Sequence, residues 1–260
     1  MEALTFSANE LEGFVSRLLW PLFRIMGFFL AAPLIGTQLV PARVRIVLAV
    51  AIALLLVPIL PPGPQLSGLS LATVLVIMHQ LLIGVALGFF LQLLFQLFVL
   101  MGQMIAMQMG LGFASMIDPS NGINVAIMSS FYLMFVSLLF ILFDGHLVMI
   151  EVLVDSFTSI PVAEVSLGPA VLMQIVQTIG WVFSSAMMLS LPALTALLVT
   201  NFSFGIMTRA APQLNIFALG FPIALMFGLF IVWISMSVFL EAAEGLFADV
   251  FIMMRSLIGQ

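Results

Sequence analysis

The segment Leu71–Gln108 is an apolar run without a single aspartate, glutamate, lysine or arginine, and it is far longer than one membrane crossing requires. A helix of about 20 residues crosses a hydrocarbon core of about 30 Å, because each residue advances the helix by about 1.5 Å. We therefore expect this segment to tilt strongly, to extend beyond the membrane or to break near Gly84 and Gly88. Because these two glycines form a small-xxx-small pattern, the sequence also predicts the close approach of another helix.

The rest of the chain has the same character, since 64% of its residues are hydrophobic and only 7% are charged. Soluble proteins carry about a quarter charged residues, so the composition predicts an all-α integral membrane protein with about six hydrophobic segments. Two of these, residues 170–199 and 215–240, are long enough to span, and Pro192 predicts a kink in the first. We expect one membrane-embedded domain over residues 1–260, whose short and overlong segments form helical hairpins that need not all cross the bilayer.

Two arginines lie inside the first apolar segment, where Arg17 and Arg24 follow Glu10 at seven-residue spacing. Such a spacing returns to nearly the same face of a helix. An arginine at the bilayer centre costs on the order of 3 kcal/mol or more, so this face should meet protein, water or the interface. The stripe indicates assembly with partner subunits, although Arg17 could instead extend from the helix end to the membrane surface.

Three glutamines share a face of the long apolar segment and are expected to form hydrogen bonds between helices, each worth roughly 0.6 to 2 kcal/mol in a membrane. They are Gln92, Gln96 and Gln103.

Residues 101–124 differ from their surroundings by being rich in methionine and glycine, and they close with Asp118-Pro119 and an Asn-Gly pair. Methionine is long and flexible, glycine permits unusual backbone conformations, and Asn-Gly favours a turn. The segment is predicted to be a loop or broken helix, either a connection whose methionines are buried or a flexible plug that seals a conduit. The candidate plug residues are Met104, Met107, Met109, Gly110, Gly112, Phe113 and Met116.

The chain offers little that suggests catalysis. It lacks cysteine, which excludes disulfides and thiolate metal sites, and its net charge of −5 gives no support for nucleic-acid binding. The usual motifs of metalloproteases, acyl transferases and nucleotide-binding proteins are missing, so we expect neither an enzyme nor a cofactor or metal. His146, which follows Asp144-Gly145, is interpreted as a residue of a helix start rather than a metal ligand. An alternative function is a secondary transporter or ion channel that uses Asp118, Asp144 and Glu151 as intramembrane acids.

Residues 201–222, NFSFGIMTRAAPQLNIFALGFP, resemble the signature of the FliR family of flagellar export-gate proteins and its injectisome counterparts. Other parts of the chain agree with that family along nearly the whole length. They are Pro33-Leu-Ile-Gly with Pro41 and Arg43, Gln108-Met-Gly-Leu-Gly-Phe with Asp118-Pro119, and Asp144-Gly145-His146 with Ser156-Phe and Pro161.

The resemblance implies a subunit of the flagellar type III export gate in the bacterial inner membrane and the flagellar basal body. One copy would join several copies of FliP and FliQ in a helical ring, with FlhB and FlhA as further partners, and unfolded export substrates would pass through it. The loop after the third segment would close the pore. The residues expected at structural or interface positions are Arg17, Arg24, Gln92, Gln96, Gln103, Asp118, Pro119, Arg209, Pro212 and Asn215.

Arg209 and Asn215 carry more specific expectations. Asn215 is placed to cap the last helix by accepting a hydrogen bond from an early backbone amide. Arg209 is expected to hold a carboxylate or the terminal carbonyls of a helix, and the alternative is a membrane anchor without a specific contact.

Overall fold

The computed structural model describes residues 8–37, 39–60, 63–64, 70–111, 127–162, 168–210 and 216–259. These residues form α-helices joined by turns, which confirms the all-α prediction. The helices are α1 (Ala8–Ala31), α2 (Ala42–Leu56), α3 (Leu71–Gln108), α4 (Ile127–Leu142), α5 (Gly145–Ser159), α6 (Pro169–Ala210) and α7 (Ile216–Leu257).

Three of the described helices contain stretches long and apolar enough to cross a membrane, namely Leu71–Gln108, Met173–Ala210 and Gly220–Leu257. The number rises to four if α4 and α5, which are interrupted at Asp144, together form one broken span. This is fewer than the six hydrophobic segments of the sequence; α2, α4 and α5 are only 15, 16 and 15 residues long. Part of the apolar sequence therefore forms helices that are shorter than one membrane crossing requires.

Of two long predicted segments, one has the predicted bounds and the other does not. The helix α3 has the predicted bounds, Leu71–Gln108; it runs without a break through Gly84 and Gly88 and includes the first part of the Met-rich segment. The last helix continues far beyond residue 240, to Leu257. Its extension buries Ala243, Phe247, Val250 and Met254 while leaving its acidic residues exposed. Such an amphipathic helix has too many charges to be found by an average of hydrophobicity.

The described residues belong to two compact units, each of which is assembled from separate stretches of the chain. Unit 1 comprises Met1–Leu93, Asp144–Thr178 and Asp249–Gln260, and unit 2 comprises Leu94–Phe143 and Ile179–Ala248.

Close contact between α1 and α3 organises unit 1. A Cβ atom at Gly88 would lie 2.6 Å from the carbonyl oxygen of Phe28, and one at Gly84 would overlap the carbonyl of Arg24. On the other helix, a Cβ at Gly27 would collide with the backbone of Leu81. The predicted close approach at the small-xxx-small pattern is therefore confirmed, and glycines on both helices make it possible.

Unit 2 has a core of aromatic rings. The ring of Phe98 meets those of Phe239 and Phe247 edge to face, with centroids 5.5 and 6.3 Å apart. A further edge-to-face pair joins Phe95 and Phe140 at 5.5 Å. Such arrangements place the positive edge of one ring on the negative face of another and add to the gain from burial.

Candidate functional site

The first feature of interest is Arg24, which is completely buried in unit 1. Its Nε donates to Oε1 of Gln80 on α3 at 2.8 Å. One terminal nitrogen donates to the carbonyl oxygen of Ser156 and, at 3.1 Å, to the hydroxyl of the same residue, while the other donates to the carbonyl oxygen of Ile160 at 2.8 Å. The guanidinium carbon also lies 4.3 Å from the ring centroid of Phe157. A single side chain thus fastens α1 to both α3 and the end of α5.

Among the described residues, the partners of Arg24 include no carboxylate, although an arginine stays protonated in proteins. The charge instead meets the last turn of α5, whose C-cap residue is Ile160. Free carbonyls and the helix dipole concentrate negative charge at that end of a helix. The sequence assigned the partners of Arg24 to other subunits, but the chain itself supplies them.

Gln80 is the residue that sequence reasoning missed in this arrangement. It is fully buried, and its Nε2 donates to the carbonyl oxygen of Val162 at 3.4 Å. The three glutamines chosen from the sequence lie elsewhere, with Gln96 exposed and both Gln92 and Gln103 half-buried. Gln80 could have been noticed as another isolated amide in an apolar helix. This property is shared by the other glutamines of the helix, so it does not predict which of them is buried.

The second feature is the end of α3, where the Met-rich segment begins in unit 2. Gly110 has a φ of +84°, the left-handed conformation that glycine adopts at low cost. The amide of Leu111 donates to the carbonyl of Ala106 at 3.0 Å, and the amide of Gly110 to that of Met107 at 3.1 Å. This pair of bonds is the Schellman motif, so Gly110 closes the helix. On the neighbouring α6, Asn201 donates through Nδ2 to the carbonyl oxygen of Gln108 at 3.0 Å.

The methionines of this segment occupy three different environments. Met109 is 1% exposed, and a Cβ at Gly228 would lie 2.5 Å from its Cγ. Met104 is half-buried, and its sulfur accepts a hydrogen bond from the hydroxyl of Ser190 at 3.5 Å. Met107, in contrast, is 67% exposed. The remaining candidates, Gly112, Phe113, Met116, Asp118 and Pro119, lie outside the described residues, so their proposed role stays a prediction.

The other candidate residues from the sequence are placed as follows. Arg17 is exposed on α1, and Arg209 is exposed in the last turn of α6, where a positive charge interacts favourably with the helix dipole. Pro212 and Asn215 lie outside the described residues, so the predicted cap of the last helix stays a prediction.

Two of the acidic residues proposed for ion transport belong to α5, where Asp144 is the N-cap residue and Glu151 lies within the helix. Asp144 is exposed and has a φ of 55°, and Glu151 pairs with Arg255 at 2.9 Å, with side chains that are 55% and 40% exposed. Pairs exposed to this degree contribute about 0 to 1 kcal/mol. Asp118 lies outside the described residues. Within the described part of the chain, no three histidine, aspartate or glutamate side chains are close enough to hold a metal ion.

The residues that form both features lie within the part of the chain that matches known proteins. The family of bacterial export proteins, family 1, matches residues 15–250. The chain is 37% identical over 257 residues to the flagellar biosynthetic protein FliR of Pectobacterium carotovorum subsp. carotovorum, covering 99% of this chain and 98% of the relative. It is 34% identical over 241 residues to the FliR protein of Escherichia coli strain K12, covering 93% and 92%. For FliR of Bacillus subtilis strain 168 the identity is 26% over 238 residues, covering 90% and 92%.

Proposed function

The chain belongs to the family of bacterial export proteins, family 1, and from this membership we propose that it is a structural, pore-forming subunit of the flagellar type III export gate. Similarity to FliR proteins over nearly the whole chain is the observation that carries the proposal. Its apolar helices place the chain in a membrane. We propose that this membrane is the bacterial inner membrane and that the subunit lies there at the flagellar basal body. Unfolded flagellar proteins pass outward through the gate, and this subunit catalyses no reaction.

We propose FliP and FliQ as partners in a hetero-oligomeric ring, with FlhB and FlhA as further contacts. Exposed apolar side chains on α6 and α7 support a partner or lipid on those surfaces, including Met188 at 72%, Phe202 at 69% and Trp233 at 73%. The exposed amide of Gln96 favours a protein partner, because an amide that faces lipid lacks hydrogen bonds. A tagged chain should therefore co-purify with FliP and FliQ in a fixed ratio. Recovery of a stable, monodisperse single chain would contradict this.

For the seal of the pore we propose the segment that follows α3. Gly110 and the bond from Asn201 fix the end of the helix, so the segment starts from a defined point. Because Met109 is buried within unit 2, we place it at the base of the seal, while Met107, Phe113 and Met116 line the lumen. Flexible thioethers can close around different side chains, which suits a pore that passes unfolded protein but holds back ions.

The seal is tested by deleting residues 112–116 in the intact complex, which leaves the helix cap at Gly110 in place. We expect normal complex yield and increased ion conductance across the membrane. Deletion of residues 163–167 serves as the control of equal length, and it should leave conductance unchanged. Lost assembly, or normal assembly without leakage, would show that the segment is a structural connection and not a seal.

A matched pair of methionine substitutions tests which side chain lines the lumen and which lies at the base of the seal. Met107→Ser should raise conductance while complex yield stays the same, because its side chain is exposed. Met109→Ser should lower yield, since it leaves a cavity and a hydroxyl in the core of unit 2.

A further inference from the structure

Arg17 lies seven residues before Arg24 on α1, but the environments of the two side chains differ. Whereas Arg24 donates to three residues within unit 1, Arg17 is exposed, and no acidic side chain among the described residues pairs with it. Arg17 lines a cavity of about 360 Å³ in the same unit. The volume is much larger than a water molecule needs and falls within the range of small-molecule sites, about 300–1,000 Å³.

The wall of this cavity is built around Trp20, which is 2% exposed. Its indole nitrogen donates to the carbonyl oxygen of Pro64 at 2.9 Å. A Cβ at Gly63 would lie 2.8 Å from Cδ1 of the indole, so a glycine is needed for this close approach. Phe157 forms part of another wall and is held under the guanidinium of Arg24. The cavity is therefore preformed by contacts that do not depend on a ligand.

The lining combines one cation with apolar surface. Arg17 is the charged residue of the described lining, and the neighbouring positions are mainly aromatic, aliphatic or proline, such as Trp20, Val57, Leu60 and Phe157. Apolar side chains are also exposed on α2 and just after it, with Leu55 at 71% and Ile59 at 73%. A ligand that fits this arrangement has an anionic head and a long apolar body.

We propose that the cavity binds the head of one anionic phospholipid. The phosphate pairs with the guanidinium of Arg17, whose planar fork suits two phosphate oxygens. The first carbons of the lipid pack against Trp20 and Leu60, and the acyl chains continue along the exposed apolar side of α2. Tryptophan and arginine are both enriched where membrane proteins meet the headgroup region, and basic pockets between membrane helices bind anionic lipid heads. This inference requires a membrane-embedded chain but not a flagellar cargo.

The test uses the intact, delipidated export complex in detergent and counts bound lipid by native mass spectrometry. Phosphatidylglycerol is added, with phosphatidylcholine of the same acyl chains as the zwitterionic control. The wild-type complex should retain one more phosphatidylglycerol per copy of this chain than the Arg17→Gln complex, and that substitution should reduce occupancy of the site at least tenfold. Val57→Phe, which narrows the cavity but keeps the charge, should have the same effect. Arg43→Gln, at an exposed arginine of α2, should leave lipid retention unchanged.

Several results would overturn the proposal. Equal retention of phosphatidylglycerol by wild-type and Arg17→Gln complexes, or equal retention of both lipids by the wild type, would exclude an anion-selective lipid site. Displacement of the lipid by glycerol 3-phosphate at equal concentration would assign the cavity to a soluble phosphate. If Arg17→Gln releases a partner subunit while Val57→Phe assembles with its lipid retained, Arg17 pairs with a carboxylate of that partner.

Discussion

The contacts that stabilise the core of unit 1 differ in kind from those that stabilise the core of unit 2. In unit 1, three elements meet at one buried guanidinium, and each of its hydrogen bonds requires a particular acceptor in a particular direction. In unit 2, aromatic rings meet around Phe98, and Met109 occupies the space left by Gly228. Apolar packing depends on volume and shape more than on direction, so the two cores should tolerate different substitutions.

The largest effect is expected for Arg24→Ala, which leaves the amide of Gln80 and the carbonyls of Ser156 and Ile160 buried without their donor. Each buried acceptor left without a donor costs about 1–3 kcal/mol, so the complex should lose much of its thermal stability in detergent. Arg24→Lys should also destabilise it, because an ammonium cannot reach the three acceptors together. Arg43→Ala, at an exposed arginine, is the control and should change stability by at most about 0.5 kcal/mol. A stable Arg24→Ala complex would show that the buried guanidinium does not stabilise unit 1.

An intermediate effect is expected for Gly102→Val on α3 of unit 2. A Cβ at Gly102 would lie 2.7 Å from Cα of Ser129 on α4, so the added side chain must push the two backbones apart. Overpacking of this kind costs about 1–3 kcal/mol. The matched control is Gly180→Ala on α6, where a Cβ would meet no atom within 4 Å, and which should stabilise the helix by about 0.5–1 kcal/mol. The unfolding midpoints of the two variants should therefore move in opposite directions, and a shift in the same direction would contradict the prediction.

The smallest effect is expected for Phe98→Met, which keeps the core of unit 2 apolar at similar volume. Loss of the edge-to-face contacts with Phe239 and Phe247 should cost about 1–1.5 kcal/mol. The unfolding midpoint should drop slightly with normal assembly of the complex. Destabilisation as large as that of Arg24→Ala would mean that unit 2 is as specific in its contacts as unit 1, and the distinction between the units would fail.

Several parts of the fold could be predicted because they depend on neighbours in the sequence. Pro33 and Gly36 end the first helix, Asp144 and Gly145 interrupt the helices α4 and α5, and α3 is one long apolar helix. Of the alternatives for α3, a break near Gly84 and Gly88 is excluded, because the helix continues through both glycines, which pack against α1. In the Met-rich segment, the sequence identified the unusual residues but gave no means of separating buried Met109 from exposed Met107.

The sequence by itself determined an all-α membrane protein and, through motifs spread along the chain, its family. The apolar content and the helix-breaking residues act locally, so they have the same meaning in any fold. Only the tertiary structure decided that Arg24 is satisfied within the chain while Arg17, on the same helix face, opens into a cavity. The acceptors of Arg24 come from Gln80 and the end of α5, which are distant from Arg24 in the sequence. A hydrophobic pattern predicts local structure, but it does not predict which distant residues will be in contact.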